Sequence, residues 1–395
     1  MNKPYISLFD NPPNRKGTNT FKWDFNHVKY GREDVIPMWI ADMDFAVPQV
    51  ITQALAKRIK HPVYGYSYRS EDYVDAIVNW LAQYHDWPVN KKHLAFYPPG
   101  TVSAINMLIN QLTEIGDEIL VFTPSYPPLM KMVNENQRIL VESPLIKIDN
   151  EYQMDFENFR TSISSKTRLL LFCSPHNPTG RVWREEELLE VATICRDNNI
   201  VVISDEVHAD LLLAGKKHTH FNRLAAHLRP TSVTIISPGK TFNIAALSQS
   251  TLICDNKALM QNIQRQISTA HLSLDNAFSA TATQAAYSHG LDWLNALLDY
   301  LKTNREFIHE FLSANLPKVV LVSGQGTYLA WLDFSAIRLS HEDIYQKLIK
   351  QAGVGLYNGL EFGDCGEKFF RLNFACSHEL LKKAMYQIYQ VFREF

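Results

Sequence analysis

Up to Asp44 the hydrophobic and polar positions follow no steady period. The stretch is rich in Asn, Pro, Asp and aromatic side chains and reads as an ordered arm rather than a core element. From Pro48 the pattern changes. Val50, Ala54, Leu55 and Ile59 recur at helical spacing, as do Tyr73, Ile77, Trp80, Leu81 and Tyr84 behind Ser70, whose hydroxyl suits an N-cap. Short apolar runs then alternate with helical stretches: HLAFY, EILVF, RLLLF, IVVIS, SVTII and STLIC, with helices near 101 to 115 and 185 to 198 between several of them. Strands that are apolar at every position, rather than at every second one, are covered on both faces. The pattern therefore predicts an α/β fold built on a mostly parallel sheet.

This core occupies residues 46–289. After Gly290 a long helical pattern leads to the strand-like VVLVS, TYLAWLDF and FFRLNF, with helices near 341–352 and 378–393. That order predicts a smaller α+β domain from residues 290–395, completed by the arm at 1–45. A chain of 395 residues is long enough for two such units. Composition changes the picture only by exclusion. Lys+Arg and Asp+Glu nearly balance, for a net charge of -2, so no basic field exists for nucleic acid or an anionic membrane. Five scattered cysteines without a C-x-x-C pair argue against a disulfide framework or zinc cluster. With no apolar leader and no long apolar run, the expectation is a cytoplasmic protein.

Ligands in open α/β sheets collect beyond the carboxyl ends of the strands. RLLLF is followed there by CSPHNPTG, IVVIS by DEVH and SVTII by SPGKTFN, which sets Asn177, Asp205 and Lys240 on one rim. Singly these are ordinary: an Asp after a strand caps helices, Asn-Pro-Thr-Gly makes turns, and lysines are mostly solvated. Together an amide, a carboxylate and an amine suit a pyridine ring that carries an aldehyde and a phenolic oxygen. The amine forms a Schiff base, the carboxylate keeps the ring nitrogen protonated, and the amide donates to the phenolic oxygen. A phosphate would use the helix start in PPGTVSA, at Gly100, Thr101 and Val102, and the hydroxyl of Ser237.

These residues resemble the fold-type I enzymes of pyridoxal 5'-phosphate (PLP), the class I/II aminotransferase superfamily, over nearly the whole chain. MWIADMDF, YGY at 64 to 66, SPHNPTGRVW, SDEVHADL, SPGKTFN and RLNFA resemble most the MalY/PatB group of cystathionine beta-lyases, or carbon–sulfur lyases. The resemblance implies an aspartate aminotransferase-like fold and a small amino-acid substrate. It implies that Lys240 holds the cofactor and moves the α-proton, that Tyr126 stacks on the ring, and that Arg371 grips the substrate carboxylate. It also implies a homodimer in which Tyr64 reaches the phosphate of the partner's site. Two positions depart from the wider superfamily. His208 stands where many aminotransferases carry Tyr, as in the lyase group, and Ser248 stands where many carry a basic residue for the phosphate.

Other chemistries lack their motifs. The GKT at 239 to 241 resembles the end of a Walker A loop, but Thr234 occupies the required upstream Gly position. G-x-G-x-x-G after a strand, G-x-S-x-G and H-E-x-x-H are absent. His218 and His220 form H-x-H without evident partners, are read as part of a surface loop, and no metal is expected. Within PLP chemistry, β-elimination from cystathionine or another S-substituted cysteine is the leading reading. Amino transfer, and a PLP-binding regulator acting through a protein partner, stay open.

Overall fold

The computed structural model describes residues 3–395 apart from Ala214, Lys216 and Ser248, so the expectation at Ser248 lies outside the described residues. Seven strands form the central sheet. From edge to edge they are Leu94–Tyr97, Ser250–Ile253, Ser232–Ile236, Val201–Asp205, Thr167–Cys173, Glu118–Thr123 and Ile139–Pro144. Ser250–Ile253 runs antiparallel to both neighbours and the other pairings are parallel, as the apolar runs predict. All six of those runs are strands of this sheet. The seventh strand, Ile139–Pro144, is an edge that leaves most of its side chains partly exposed, and so it lacks their continuous apolar character.

Alternate residues of the inner strands serve opposite faces. Ile119, Val121, Leu169, Leu171 and Ile203 pack with the helices Thr101–Leu112, Pro127–Glu135 and Lys257–Thr269, while Leu120, Phe122, Leu170, Phe172 and Val202 pack with Glu185–Asp197. The two amphipathic helices are Gln49–Ile59 and Glu71–Tyr84, and the Ser70 hydroxyl accepts the Tyr73 N–H at 3.3 Å as its N-cap. Beyond the helix Leu291–Asn315, a four-stranded antiparallel sheet runs in the order Val320–Leu321, Leu329–Asp333, Phe369–Asn373, Tyr357–Asn358.

The amino-terminal stretch differs from its aperiodic pattern. It contains the helices Lys3–Asp10 and Asn26–Tyr30 and a short strand, Ile36–Pro37, paired parallel to Val354–Gly355. Phe9, Met38, Met43 and Phe45 are buried in one cluster with Trp293, Leu297 and Phe370. This is core built from irregular backbone, and irregular backbone has no period to read.

Candidate active site

Five segments reach the carboxyl rim of the sheet. They carry Gly100 to Val102 after Leu94–Tyr97, Tyr126 after Glu118–Thr123, Asn177 after Thr167–Cys173, Asp205 to His208 at the end of Val201–Asp205, and Ser237 to Lys240 after Ser232–Ile236. Except for Glu206 and Pro238, these residues line one cavity of about 240 Å³, together with Ala41, Cys173 and Gln249. The rim predicted from the sequence is thus a single pocket.

Lys240 sits in the four-residue helix Pro238–Thr241, and its Nζ donates to the Ala41 carbonyl at 2.5 Å. Burial brings its ammonium down to about 8; Asp42 and Asp205 oppose the shift and Arg371 adds to it. Asp205 is pushed up to about 6, by burial first and also by the Glu206 charge, against the pull of the Val207 N–H and Lys240. Among the described residues its one side-chain hydrogen bond is from the Val207 N–H, at 3.3 Å. A carboxylate kept this dry holds its charge readily only beside a cation.

Arg371 lies in Phe369–Asn373 opposite Trp331 and Tyr357 and is 1 % exposed. Its Nη1 donates to Asn177 Oδ1 and its Nη2 to the Trp39 carbonyl, both at 2.7 Å, and the guanidinium lies over the rings of Tyr357 and Phe362. Nε has no partner, and among the described residues no carboxylate pairs with this cation. With Oδ1 of Asn177 committed to Arg371, its amide hydrogens are left to donate elsewhere. His208 is buried edge-on to Tyr328 with Nδ1 unpartnered, and burial, then the Lys240 and Arg371 charges, hold its ring well below the usual histidine range. It is therefore neutral near pH 7. Burial also raises the Tyr126 phenol.

Gly100, with φ 97° and ψ 177°, caps the helix Thr101–Leu112 and turns its first N–H groups to the rim. The Thr101 and Ser250 hydroxyls are 3.0 Å apart. Ser237 accepts from the Gly239 N–H and donates to the Gln249 carbonyl at 2.5 Å, so its hydrogen would have to turn from Gln249 to meet a phosphate. Tyr64 stands outside the pocket of its own chain. It is 56 % exposed, with its hydroxyl on the Ile59 carbonyl.

Ala41 and Trp39, which hold Lys240 and Arg371 through backbone carbonyls, carried no role in the sequence reading, nor did Tyr328, whose hydroxyl also donates to Ala41 at 3.0 Å. The H-x-H reading needs correction. His218 and His220 are buried and both meet Oε2 of Glu206, His218 at 2.8 Å. Donor atoms of these three side chains lie within 4.8 Å of one another. Hydrogen bonding to Glu206 holds the cluster together, and among the described residues His218 Nδ1 and His220 Nε2 have no partner.

A buried amine, carboxylate and amide line one pocket beyond the strand ends of an α/β fold, with a guanidinium bonded to the amide, an arrangement that suits an enzyme's anionic ligand. Residues 33–388 match the family model "Aminotransferase class I and II", and the chain belongs to that family. It is 39% identical to cystathionine beta-lyase PatB of Bacillus subtilis (strain 168), over 96% of this chain and 98% of that protein. It is 31% identical to Protein MalY of Escherichia coli (strain K12), over 95% of this chain and 96% of the other. The structure of a PLP-bound C-S lyase from Staphylococcus hominis with the inhibitor L-cycloserine superposes with a TM-score of 0.90. It is 33% identical and covers 97% of this chain and 98% of that one. The fold is that of the PLP-dependent aminotransferases, and PLP is the family's cofactor. The pocket fits that group: among the described residues neither Asp205 nor Arg371 has an ion pair, and a helix start with a glycine cap lies at the cavity.

Proposed function

We propose that the protein is a PLP-dependent carbon–sulfur β-lyase that converts cystathionine, or a related S-substituted cysteine, into a thiol, pyruvate and ammonia. The observation that carries this reading is a pair of buried charges that have no ion pair among the described residues: Asp205, which lines the pocket with Lys240, and Arg371, which is bonded to Asn177 of the same pocket. Bound PLP supplies an electron-withdrawing ring that makes the α-hydrogen of an amino acid acidic. Asp205 would keep the ring nitrogen protonated, and the Asn177 amide would donate to the phenolic oxygen. The Thr101 and Val102 N–H groups and the Ser237 hydroxyl would hold the phosphate, and Tyr126 would cover the ring. Arg371 grips the substrate carboxylate through the donors that Asn177 and Trp39 now take. Lys240 holds the cofactor at rest and moves the proton at the α-carbon. Its ammonium at about 8 puts an appreciable fraction of free amine near neutral pH. Loss of that proton would let the Cβ–S bond break with its electron pair leaving on sulfur, and water would complete the conversion to pyruvate and ammonia.

The reading extends to the assembly: a cytoplasmic homodimer in which Tyr64 serves the partner's phosphate site, with residues 46–289 as the cofactor-binding domain and residues 1–45 with 290–395 as the smaller one. The exposed run Val63, Tyr64, Tyr66 and Tyr68 supports the shared interface.

The test is product analysis. Purified protein with PLP and L-cystathionine should release pyruvate and free thiol in equal amounts, and borohydride should fix the cofactor to the peptide containing Lys240. Amino transfer to a keto acid without pyruvate would make the protein an aminotransferase. Negligible turnover on every sulfur amino acid, with stoichiometric capture of a transcription factor, would make it a regulator. Reduction onto another lysine would overturn the assignment of Lys240.

A further inference from the structure

Lys240 is carried by a helix of four residues. One turn of helix fixes several dihedrals for a single internal hydrogen bond and is not stable alone, so outside contacts must set the position of the lysine. One of these contacts is buried and charged. The Thr241 hydroxyl donates to Asp210 Oδ2 at 2.5 Å, and Thr241 is 0 % exposed, so no water stands ready to replace either partner. Asp210 Oδ1 accepts from Trp80 Nε1 at 2.9 Å and from His85 Nε2 at 2.6 Å. Burial alone would raise the Asp210 carboxyl; His85, Thr241 and Trp80 outweigh it and hold the carboxyl below its ordinary value.

Asp210 belongs to the segment that leaves the strand Val201–Asp205. The same turn carries Asp205 and His208, and it is closed by the Ala209 N–H on the Glu206 carbonyl and the Leu211 N–H on the His208 carbonyl. A second link runs along the back of the site. The His85 ring meets the His220 ring edge-on at 4.5 Å, and His220 bonds to Glu206, the neighbour of Asp205. Glu206 also takes the Ser204 hydroxyl at 2.6 Å and the Phe221 N–H at 2.9 Å, so its carboxylate is fixed on several sides. The residues next to Lys240 and next to Asp205 are therefore linked through buried polar groups and one ring contact, none of which lines the cavity.

The geometry points to Thr241 and Asp210 as positioning residues that hold the lysine helix in register with the strand end bearing Asp205 and His208. Neither touches the pocket. Without the Thr241–Asp210 bond the short helix is free to shift, and an ångström of misplacement at a reacting amine costs on the order of a hundredfold in rate. The inference rests on Lys240 being the cofactor lysine.

The test compares Thr241→Val, which removes the hydroxyl at nearly constant shape, with Thr241→Ser, which keeps it. Both are prepared as holoenzyme. Without substrate, the pH titration of the visible absorption band of the bound cofactor reports on the surroundings of the lysine, where Asp42, Asp205, Arg371 and His208 are the other titratable or charged groups. Thr241→Val should retain PLP, shift that titration, and lower kcat for pyruvate release by about tenfold to a hundredfold with KM within about twofold. Thr241→Ser should behave as the parent. Asp210→Asn should reproduce Thr241→Val, and the double variant should lose no more than the worse single one, as for two halves of one contact. A parental titration and kcat in Thr241→Val would overturn the proposal, and so would an equal loss in Thr241→Ser, which would trace the effect to packing. If the parent protein releases no pyruvate, the lyase reading fails and the spectral comparison still decides this one.

Discussion

Asp205 and Lys240 each hold a charge in a pocket where water does little to stabilise it, and the sign of each shift fixes how the cofactor-free protein responds to pH. Asp205 titrates near 6 against its ordinary 3.8, so the stability linked to it is complete below about pH 4 and is lost as pH rises through 6. Lys240 titrates near 8 against 10.5, so its contribution is complete above about pH 10.5 and is lost as pH falls through 8. Between 6 and 8 both costs stand. Removing one of them should help the empty protein: Asp205→Asn, freed of PLP, should gain up to about 3 kcal/mol near pH 7.5, at about 1.4 kcal/mol per pKa unit, and lose that advantage near pH 4. Urea denaturation of the cofactor-free forms at the two pH values measures it, and an equal gain at both would refute the burial argument. The same substitution should abolish turnover in the holoenzyme.

A strand and the turn that follows it make up each arm of the site, and one residue shows how tightly the backbone is drawn. Gly100, at φ 97° and ψ 177°, occupies a region that is essentially closed to residues with a Cβ. Gly100→Ala should therefore cost about 1 to 3 kcal/mol in thermal or urea unfolding and weaken PLP binding, because the N–H groups of Thr101 and Val102 lose their aim. Unchanged PLP affinity would show that the phosphate sits elsewhere. The apolar runs that precede these turns were legible because both-face burial leaves few polar positions to confuse the pattern. The edge strand Ile139–Pro144 was not, since half-exposed positions imitate a loop. The arm that carries Met38 to Phe45 was misread for a related reason. Side chains hold its carbonyls in place, with Asn373 Nδ2 on the Ile40 and Asp42 carbonyls at 2.6 Å and Asn243 Nδ2 on those of Met43 and Phe45, and none of this is periodic.

At the scale of the whole molecule the exposed aromatic run stands out. Tyr66 is 96 % exposed and Tyr68 80 %, and the segment bridges at Ser67 to Asp275, next to the exposed Leu274. Such a surface is normally covered. The parent protein should sediment as a dimer, and Tyr66→Glu should move it toward monomer with weaker retention of PLP. A monomeric parent at assay concentrations would remove Tyr64 from the site.

The identities of the chemical groups, and the rim they share, were determined by the sequence alone. Strand patterns place residues relative to their own element, and Asn177, Asp205, Ser237 and Lys240 each lie at the end of a strand or within four residues of it. Contacts made across the fold were decided by tertiary structure. Ala41 meets Lys240 from 199 positions away, and it does so through a carbonyl that every residue type carries. Trp39 meets Arg371 in the same way. His218 and His220, polar and in a loop, acquired a buried carboxylate because Glu206 turns to them rather than to the pocket that its neighbour Asp205 lines, a difference that a spacing of residues does not reveal.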